Sequence, residues 1–337
     1  MKRGKFNSLL LVLLTVLLVV SFSFAGDALA QGKKKPGDVE IIMVHKLLGI
    51  PWIVRETEGV KAAAKDLGIK ADLIAPAVAG DVAQQVKLLE DLVARGVDGI
   101  VIVPNDPEAV VPILEKATGK GIITIAHESP GQKGSMYDVE AFDNWVYGQK
   151  MMDMLVKYMG DKGEYIAFVG ELTAVTHNIW QDAALARAKE KYPNIKEATH
   201  RIPCHDDLET SYKTTLDLIK SYPNLKGILG SAATDAPGAA KAVEEKGVQN
   251  KIVVGGTSIP SMAGKYIKSG AQKWGQAWDP YELGYSTVWV AYYLYQGKKL
   301  QEGMDVPHLG KIKIKGTDIF GDVPLFFTKD NVDKYPF

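Results

Sequence analysis

The feature that most constrains this chain is a repeated alternation between short apolar runs and longer amphipathic stretches. Residues 39–44, 71–74, 99–103 and 122–126 are continuous apolar or β-branched runs, as expected of strands buried on both faces. Between them, 52–67 reads as a helix ending at Gly68. Stretch 81–94 opens with Asp81 as N-cap, sets Val86, Leu89 and Val93 at helical spacing, and closes near Gly96. Stretch 107–118 has Asp106 as cap, Pro107 at the first helical position and Gly119 at its end. This βαβ series predicts a parallel sheet with right-handed crossovers.

The same grammar restarts further on. Strands are predicted over 165–169, 199–202, 226–230 and 252–254. The helices between them fall at 144–159, 177–191, 208–221, 235–246 and 260–268. The expected fold is therefore α/β, with two doubly wound Rossmann-like lobes. No linker rich in Pro, Gly or Ser divides them; the chain crosses near 137–144 and again near 274–279, ahead of a helix over 281–295. Such crossings form a multi-strand hinge, which suits closure over a ligand. The first lobe is expected over 38–143 plus about 280–308, the second over 144–279 plus about 309–337.

Residues 1–30 read as a cleaved secretory signal. Lys2, Arg3 and Lys5 precede an apolar run over 9–24, and Ala28-Leu29-Ala30 is a small-x-small site before Gln31. The run is too short to favour a permanent membrane span. Residues 31–37, with three consecutive lysines, read as a solvated lead-in, and the expected location is the periplasm. Lys+Arg and Asp+Glu are equal at 40 each; three bases and one acid lie before residue 31, so the remainder carries a net charge of about −2. That balance gives no sign of nucleic acid or an anionic membrane as partner, and a monomer is expected. Cys204 is the sole cysteine, which excludes an intramolecular disulfide and suits a small buried apolar residue. His200, Cys204 and His205 lack a partner cluster at zinc-ligand spacing, so neither metal nor cofactor is expected.

Open parallel sheets bind ligands beyond the carboxyl ends of their strands. Residues falling there are Lys46, Asn105 with Asp106, His127 with Glu128, Thr176 to Asn178, His205 with Asp206, Ser231 to Asp235, and Trp278 with Asp279. Carboxylates and amides for hydroxyls, with a ring face for the C–H side, are what a carbohydrate site requires. Asp106 and Asp235 also read as helix caps.

These residues resemble the periplasmic sugar-binding proteins of ABC importers, with the type I two-lobed fold, and among them the autoinducer-2 and rhamnose-type binders. The resemblance covers nearly all of the chain after the signal. It is carried by Lys46 to Gly49, Pro51 and Trp52 leading into the helix that ends at Gly68, Gly121 to Glu128, Trp278 with Asp279, and the ending from Asp330 to Tyr335. It implies an inner-membrane ABC permease as partner and a ligand-binding set. Lys46 contacts the ligand from the first lobe, and Trp52 lays a ring against it. Glu128 stands where relatives have an aspartate that accepts hydroxyls. His177 and Asn178 replace an Asp-Gln pair, Ser231 replaces a proline, and Ala233 and Asp279 match. Together with Asp106, Asp235 and Trp278 these are the expected site residues. The three replacements change reach, charge and donor pattern, which points from autoinducer-2 toward a neutral sugar or polyol of pentose or deoxyhexose size.

The expected function is a receptor that closes on such a ligand and delivers it to the permease. The alternatives are an autoinducer-2 receptor, a ligand sensor, and an exported sugar-acting enzyme with Glu128 and Asp279 as paired carboxylates. No nucleophile elbow, dinucleotide fingerprint or P-loop supports the enzyme.

Overall fold

Four of the apolar runs lie side by side as parallel strands: β1 (Glu40–Val44), β2 (Lys70–Ile74), β3 (Gly99–Ile102) and β4 (Ile123–His127). A fifth, β5 (Tyr137–Glu140), pairs parallel with β4. The crossovers are helices α1 (Pro51–Leu67), α2 (Val82–Arg95) and α3 (Val111–Gly119). Asp81 caps α2 as its position suggests, accepting from the Gln84 amide. In this computed structural model the described residues are 34–337. The signal expected over 1–30 and residues 31–33 of the lead-in lie outside them. A 3-10 turn occupies Pro36–Asp38, and Val39–Phe337 form a compact unit of their own. No helix among the described residues is long and apolar enough to cross a membrane.

One helix boundary departs from the sequence pattern. α3 begins at Val111 rather than near Pro107, because a helix from 107 would carry Pro112 in its interior, without an N–H and against a carbonyl. Starting at Val111 puts Pro112 in the first turn, where it is tolerated. Asp106 instead closes a turn, accepting from the Glu108 and Ala109 amides at 3.0 and 3.2 Å.

The second sheet is built from β6 (Lys162–Val169), β7 (Asn194–Glu197), β8 (Ile202–Pro203), β9 (Leu225–Gly230), β10 (Val253–Thr257) and β11 (Trp274–Ala277). Its helices are α4 (Asn144–Met159), α5 (Val175–Lys191), α6 (Leu208–Ser221), α7 (Asp235–Glu245) and α8 (Pro260–Ser269). The single strand expected over 199–202 is two short ones, β7 and β8, both paired to β6. Only Ile195 of β7 is buried, so this edge strand lacks the continuous apolar run that marks central strands.

The tail corrects the expected lobe boundary. After α9 (Pro280–Tyr295) comes a hairpin of β12 (Asp305–Val306) and β13 (Gly310–Lys311). Then β14 (Lys313–Lys315) pairs with β15 (Asp318–Phe320), and β15 lies parallel to β5 at the edge of the first sheet, with Ile319 opposite Val139. Residues 313–320 thus belong with the first sheet, not the second. Only β16 (Leu325–Phe327) joins the second, antiparallel to β11. Strands of three residues give no periodicity by which a sequence could choose between the sheets. The chain therefore crosses three times, after β5, after β11 and after β15.

Helix α9 leaves the second sheet and packs on α1 of the first lobe at very close range. A Cβ on Gly59 would fall 2.0 Å from the Tyr281 carbonyl oxygen, and one on Gly284 2.2 Å from that of Glu56. The second lobe repeats the device: a Cβ on Gly148 of α4 would lie 2.2 Å from the Trp180 carbonyl of α5. Backbone atoms cannot swing aside, so each contact demands glycine. Gly59→Ala and Gly148→Ala are each expected to lose about 1–3 kcal/mol or more in urea unfolding. Unchanged midpoints would refute this packing.

Candidate functional site

At the carboxyl ends of both sheets lies a small cleft lined by residues of both lobes, the place where open parallel sheets bind their ligands. The first lobe contributes His45, Lys46 and Leu47 after β1, Ile50, Trp52 and Ile53 at the start of α1, and Glu128 after β4. From the second come His177 and Trp180 of α5, Asp206 before α6, Ser231 and Ala233 after β9, and Thr257. Trp278 enters from the crossing after β11.

Lys46 donates to Glu128 Oε2 at 2.8 Å, and both side chains are buried. Burial opposes the charge on Lys46, but Glu128, Asp206 and Glu56 together outweigh it and raise the ammonium pKa. Burial likewise opposes ionisation of Glu128, and Lys46 together with the surrounding histidines reverses that, holding the carboxyl below its usual range. Behind the pair lie His45, Glu56 and His127, with His45 Nε2 3.3 Å from Glu56 Oε2. The distance is that of an ion pair, yet the geometry makes no hydrogen bond and burial disfavours both charges. It drops the His45 pKa to about 3 and lifts Glu56 well above the carboxylate range, so the contact is between neutral groups.

His177 receives the Gly170 amide on Nδ1 at 3.1 Å, which places the ring proton on Nε2. Burial lowers its pKa to about 4, so it faces the cleft as a neutral donor. Ser231 Oγ accepts from Gln181 at 2.8 Å. The rings converge on Trp278: Trp52 meets it edge-on at 4.7 Å, Phe142 at 5.5 Å and Trp180 at 6.1 Å. Trp180 is held from behind. Its indole donates to Asn144 Oδ1 at 2.6 Å, and Asn144 donates to Glu140 Oε2 at 2.8 Å. Asp138 Oδ2 and Glu140 Oε1 have no donor from any other residue, and one proton held between them satisfies both. Burial, partly offset by the hydrogen bond from Glu140, pushes Asp138 up to about 7, and Asp318 and Glu128 add to the rise.

Of the residues singled out in the sequence, Lys46, Trp52, Glu128, His177, Ser231, Ala233 and Trp278 line the cleft. Four do not. Asp106 closes the turn described above. The Asn178 amide turns back to the Leu172 and Ala174 carbonyls at 3.1 and 2.8 Å. Asp235 is buried, accepting from the Ser231 and Ala232 amides at 3.1 and 2.8 Å. Asp279 caps α9 and forms a two-pronged pair with Arg55 at 2.9 and 2.7 Å, which removes it as a partner for Glu128. Each is a short carboxylate or amide beside a turn, where local backbone donors and acceptors compete for it. Conversely, Trp180 and Thr257 line the cleft without having been singled out, and Asp206, placed beyond a strand end by the sequence but not among the expected site residues, lines it too. His45 packs and also lines the wall. Cys204 is buried, and burial raises its thiol pKa, consistent with an inert apolar role.

Two doubly wound lobes around such a cleft define a two-lobed solute-binding protein. The sequence profile of the periplasmic binding protein domain family matches residues 41–299, and the chain belongs to that family. It is similar to the D-allose-binding periplasmic protein of Escherichia coli (strain K12), 27% identical over 252 residues, 73% of this chain and 81% of that protein. Among solved structures it is similar to an ABC transporter solute-binding protein from Clostridium phytofermentas with bound L-rhamnose (TM-score 0.83, 22% identity, 89% of this chain and 99% of that one). It is also similar to LsrB from Clostridium saccharobutylicum in complex with AI-2 (TM-score 0.80, 21% identity, 89% and 100%). At these identities the structures speak to the fold.

Two outcomes are expected. Lys46→Met leaves a buried carboxylate unpaired and costs about 3–5 kcal/mol in urea unfolding, while adding Glu128→Gln restores much of it. A double variant as weak as the single would refute the coupling. The second concerns pH. A carboxyl whose folded pKa is raised contributes stability that is full below the ordinary carboxylate range, near 4, and is lost as pH rises through about 7. The melting temperature should therefore fall more between pH 5 and pH 8 in the parent than in Asp138→Asn. His177 acts in the opposite sense in both proteins, so the difference reports the Asp138–Glu140 pair. Parallel curves would place its proton elsewhere.

Proposed function

We propose that the protein is an exported receptor that closes on a small neutral sugar or polyol, of pentose or deoxyhexose size, and delivers it to an ABC permease in the inner membrane. The observation that carries the reading is the cleft itself: three indole rings beside an ion pair already neutralised within one lobe, with neutral His177, Ser231 and Thr257 as hydroxyl partners. Indole faces suit the C–H side of a sugar ring, and fixed polar groups suit its hydroxyls. The names of relatives that bind allose, ribose and rhamnose support the same class. Family membership supports binding rather than catalysis and a periplasmic setting. Thr173 of the second lobe donates to the Asn105 carbonyl of the first at 2.8 Å, a contact that opening would break.

A thermal-shift panel of D-allose, D-ribose, L-rhamnose, D-xylose, xylitol and autoinducer-2 tests the proposal. A ligand at a hundred times its dissociation constant adds about 2.7 kcal/mol, and chromatography should recover it unchanged. Solution scattering should show a smaller radius of gyration with ligand than without. Conversion of the ligand to product would overturn the receptor reading, and a preference for autoinducer-2 would overturn the sugar.

A further inference from the structure

Several polar groups that line the cleft lack a partner among the described residues, the His45 ring nitrogens and the Trp278 indole among them, and one further group is a carboxylate. Asp206 lines the cleft from the second lobe, and no group among the described residues donates a hydrogen bond to its carboxylate. Its backbone is left-handed, with φ of 50°, directly after His205 at 57°. Two adjacent non-glycine residues in that region are costly and persist only where surrounding structure holds them.

The surroundings do hold them. On one side the Cys204 amide donates to the Val169 carbonyl and the His205 amide to the Gly170 carbonyl, both at 2.8 Å. On the other, Asp207 caps α6, accepting from the Thr210 amide at 2.7 Å. The His205 ring is fixed to Glu171 at 2.8 Å. The carboxylate rests in a recess cut for it: a Cβ on Gly170 would fall 2.6 and 2.7 Å from its two oxygens. The first lobe uses the same device, since Glu128, at φ of 57°, is also left-handed and also faces the cleft. Glu128 has Lys46 as its hydrogen-bonded partner there, whereas among the described residues Asp206 has no such partner and is drawn to Lys46 only through space.

We infer that Asp206 is a specificity-determining residue of the second lobe, an acceptor-only group that takes two hydroxyls of the ligand, and that Gly170 is the positioning residue that makes room for it. The inference rests on the sugar-receptor reading and deepens it: the ligand presents a pair of hydroxyls, or a hydroxyl and an amine, on the edge that meets the second lobe. A sugar lacking a donor pair on that edge leaves the carboxylate unpaired and is rejected.

Calorimetry with D-allose, D-ribose and L-rhamnose on the full chain tests this. Against whichever sugar binds the parent best, Asp206→Ala is expected to weaken affinity about ten- to hundredfold. Asp206→Asn, which keeps the size and tolerates the left-handed turn, should weaken it less and guards against a folding defect in the alanine variant. Gly170→Ala should weaken binding in the parent and change it by less than twofold when Asp206→Ala is already present. That non-additivity would not arise from a purely structural role at 170. Asp206→Ala binding within twofold of the parent overturns the inference and leaves the receptor reading standing. A parent that binds none of the sugars overturns the sugar reading and this assignment with it.

Discussion

Everything at the cleft depends on how closely α9 approaches α1. The chain leaves the second sheet at β11, turns at Trp278 and Asp279, and at once begins a helix whose backbone touches that of α1 at Gly59 and Gly284. Because the two helix backbones nearly meet, Asp279 reaches Arg55 and Trp278 reaches Trp52. A side chain of any size at the glycines would lift α9 away and take with it the ring on which Trp52, Phe142 and Trp180 converge. The cleft wall is thus a by-product of helix packing in the first lobe, although most of its rings come from elsewhere.

Charge is handled by exclusion rather than by matching. Burial removes the charge from His45, Glu56 and His177, and the buried ion pair of the cleft, Lys46 with Glu128, lies within a single lobe. Rigid-body movement of one lobe against the other leaves that pair intact, though it draws Lys46 away from the Asp206 carboxylate that attracts it across the cleft. The few polar bonds that span the lobes are of ordinary strength, such as Thr173 to the Asn105 carbonyl. An ion pair bridging the cleft would have made opening far harder.

The fold was legible because central parallel strands are continuous apolar runs and their crossovers carry caps such as Asp81 and left-handed glycines such as Gly68 and Gly96. The half-exposed edge strand β7 and the three-residue strands β14 and β15 were not, since neither length nor periodicity distinguishes them from loop. The site was legible in part for a similar reason. Lys46, Glu128, His177 and Trp278 directly follow or flank elements whose direction the pattern establishes. Asp106, Asp235 and Asp279 occupy comparable places, yet each is claimed by a nearby amide or guanidinium, and sequence does not say which donor wins. Trp180 was hidden by its own helix: a tryptophan at an apolar position of α5 looks like core until Asn144 is seen to aim it.

The bond between Thr173 and Asn105 also bears on what parting the two lobes would cost. A neutral hydrogen bond contributes about 0.5–1.5 kcal/mol net, which alone shifts a two-state population only some two- to tenfold. On the receptor reading proposed above, opening would break that bond and also draw Lys46 away from Asp206. A solute that requires the shut form would then lose apparent affinity in proportion to the time the free protein spends open.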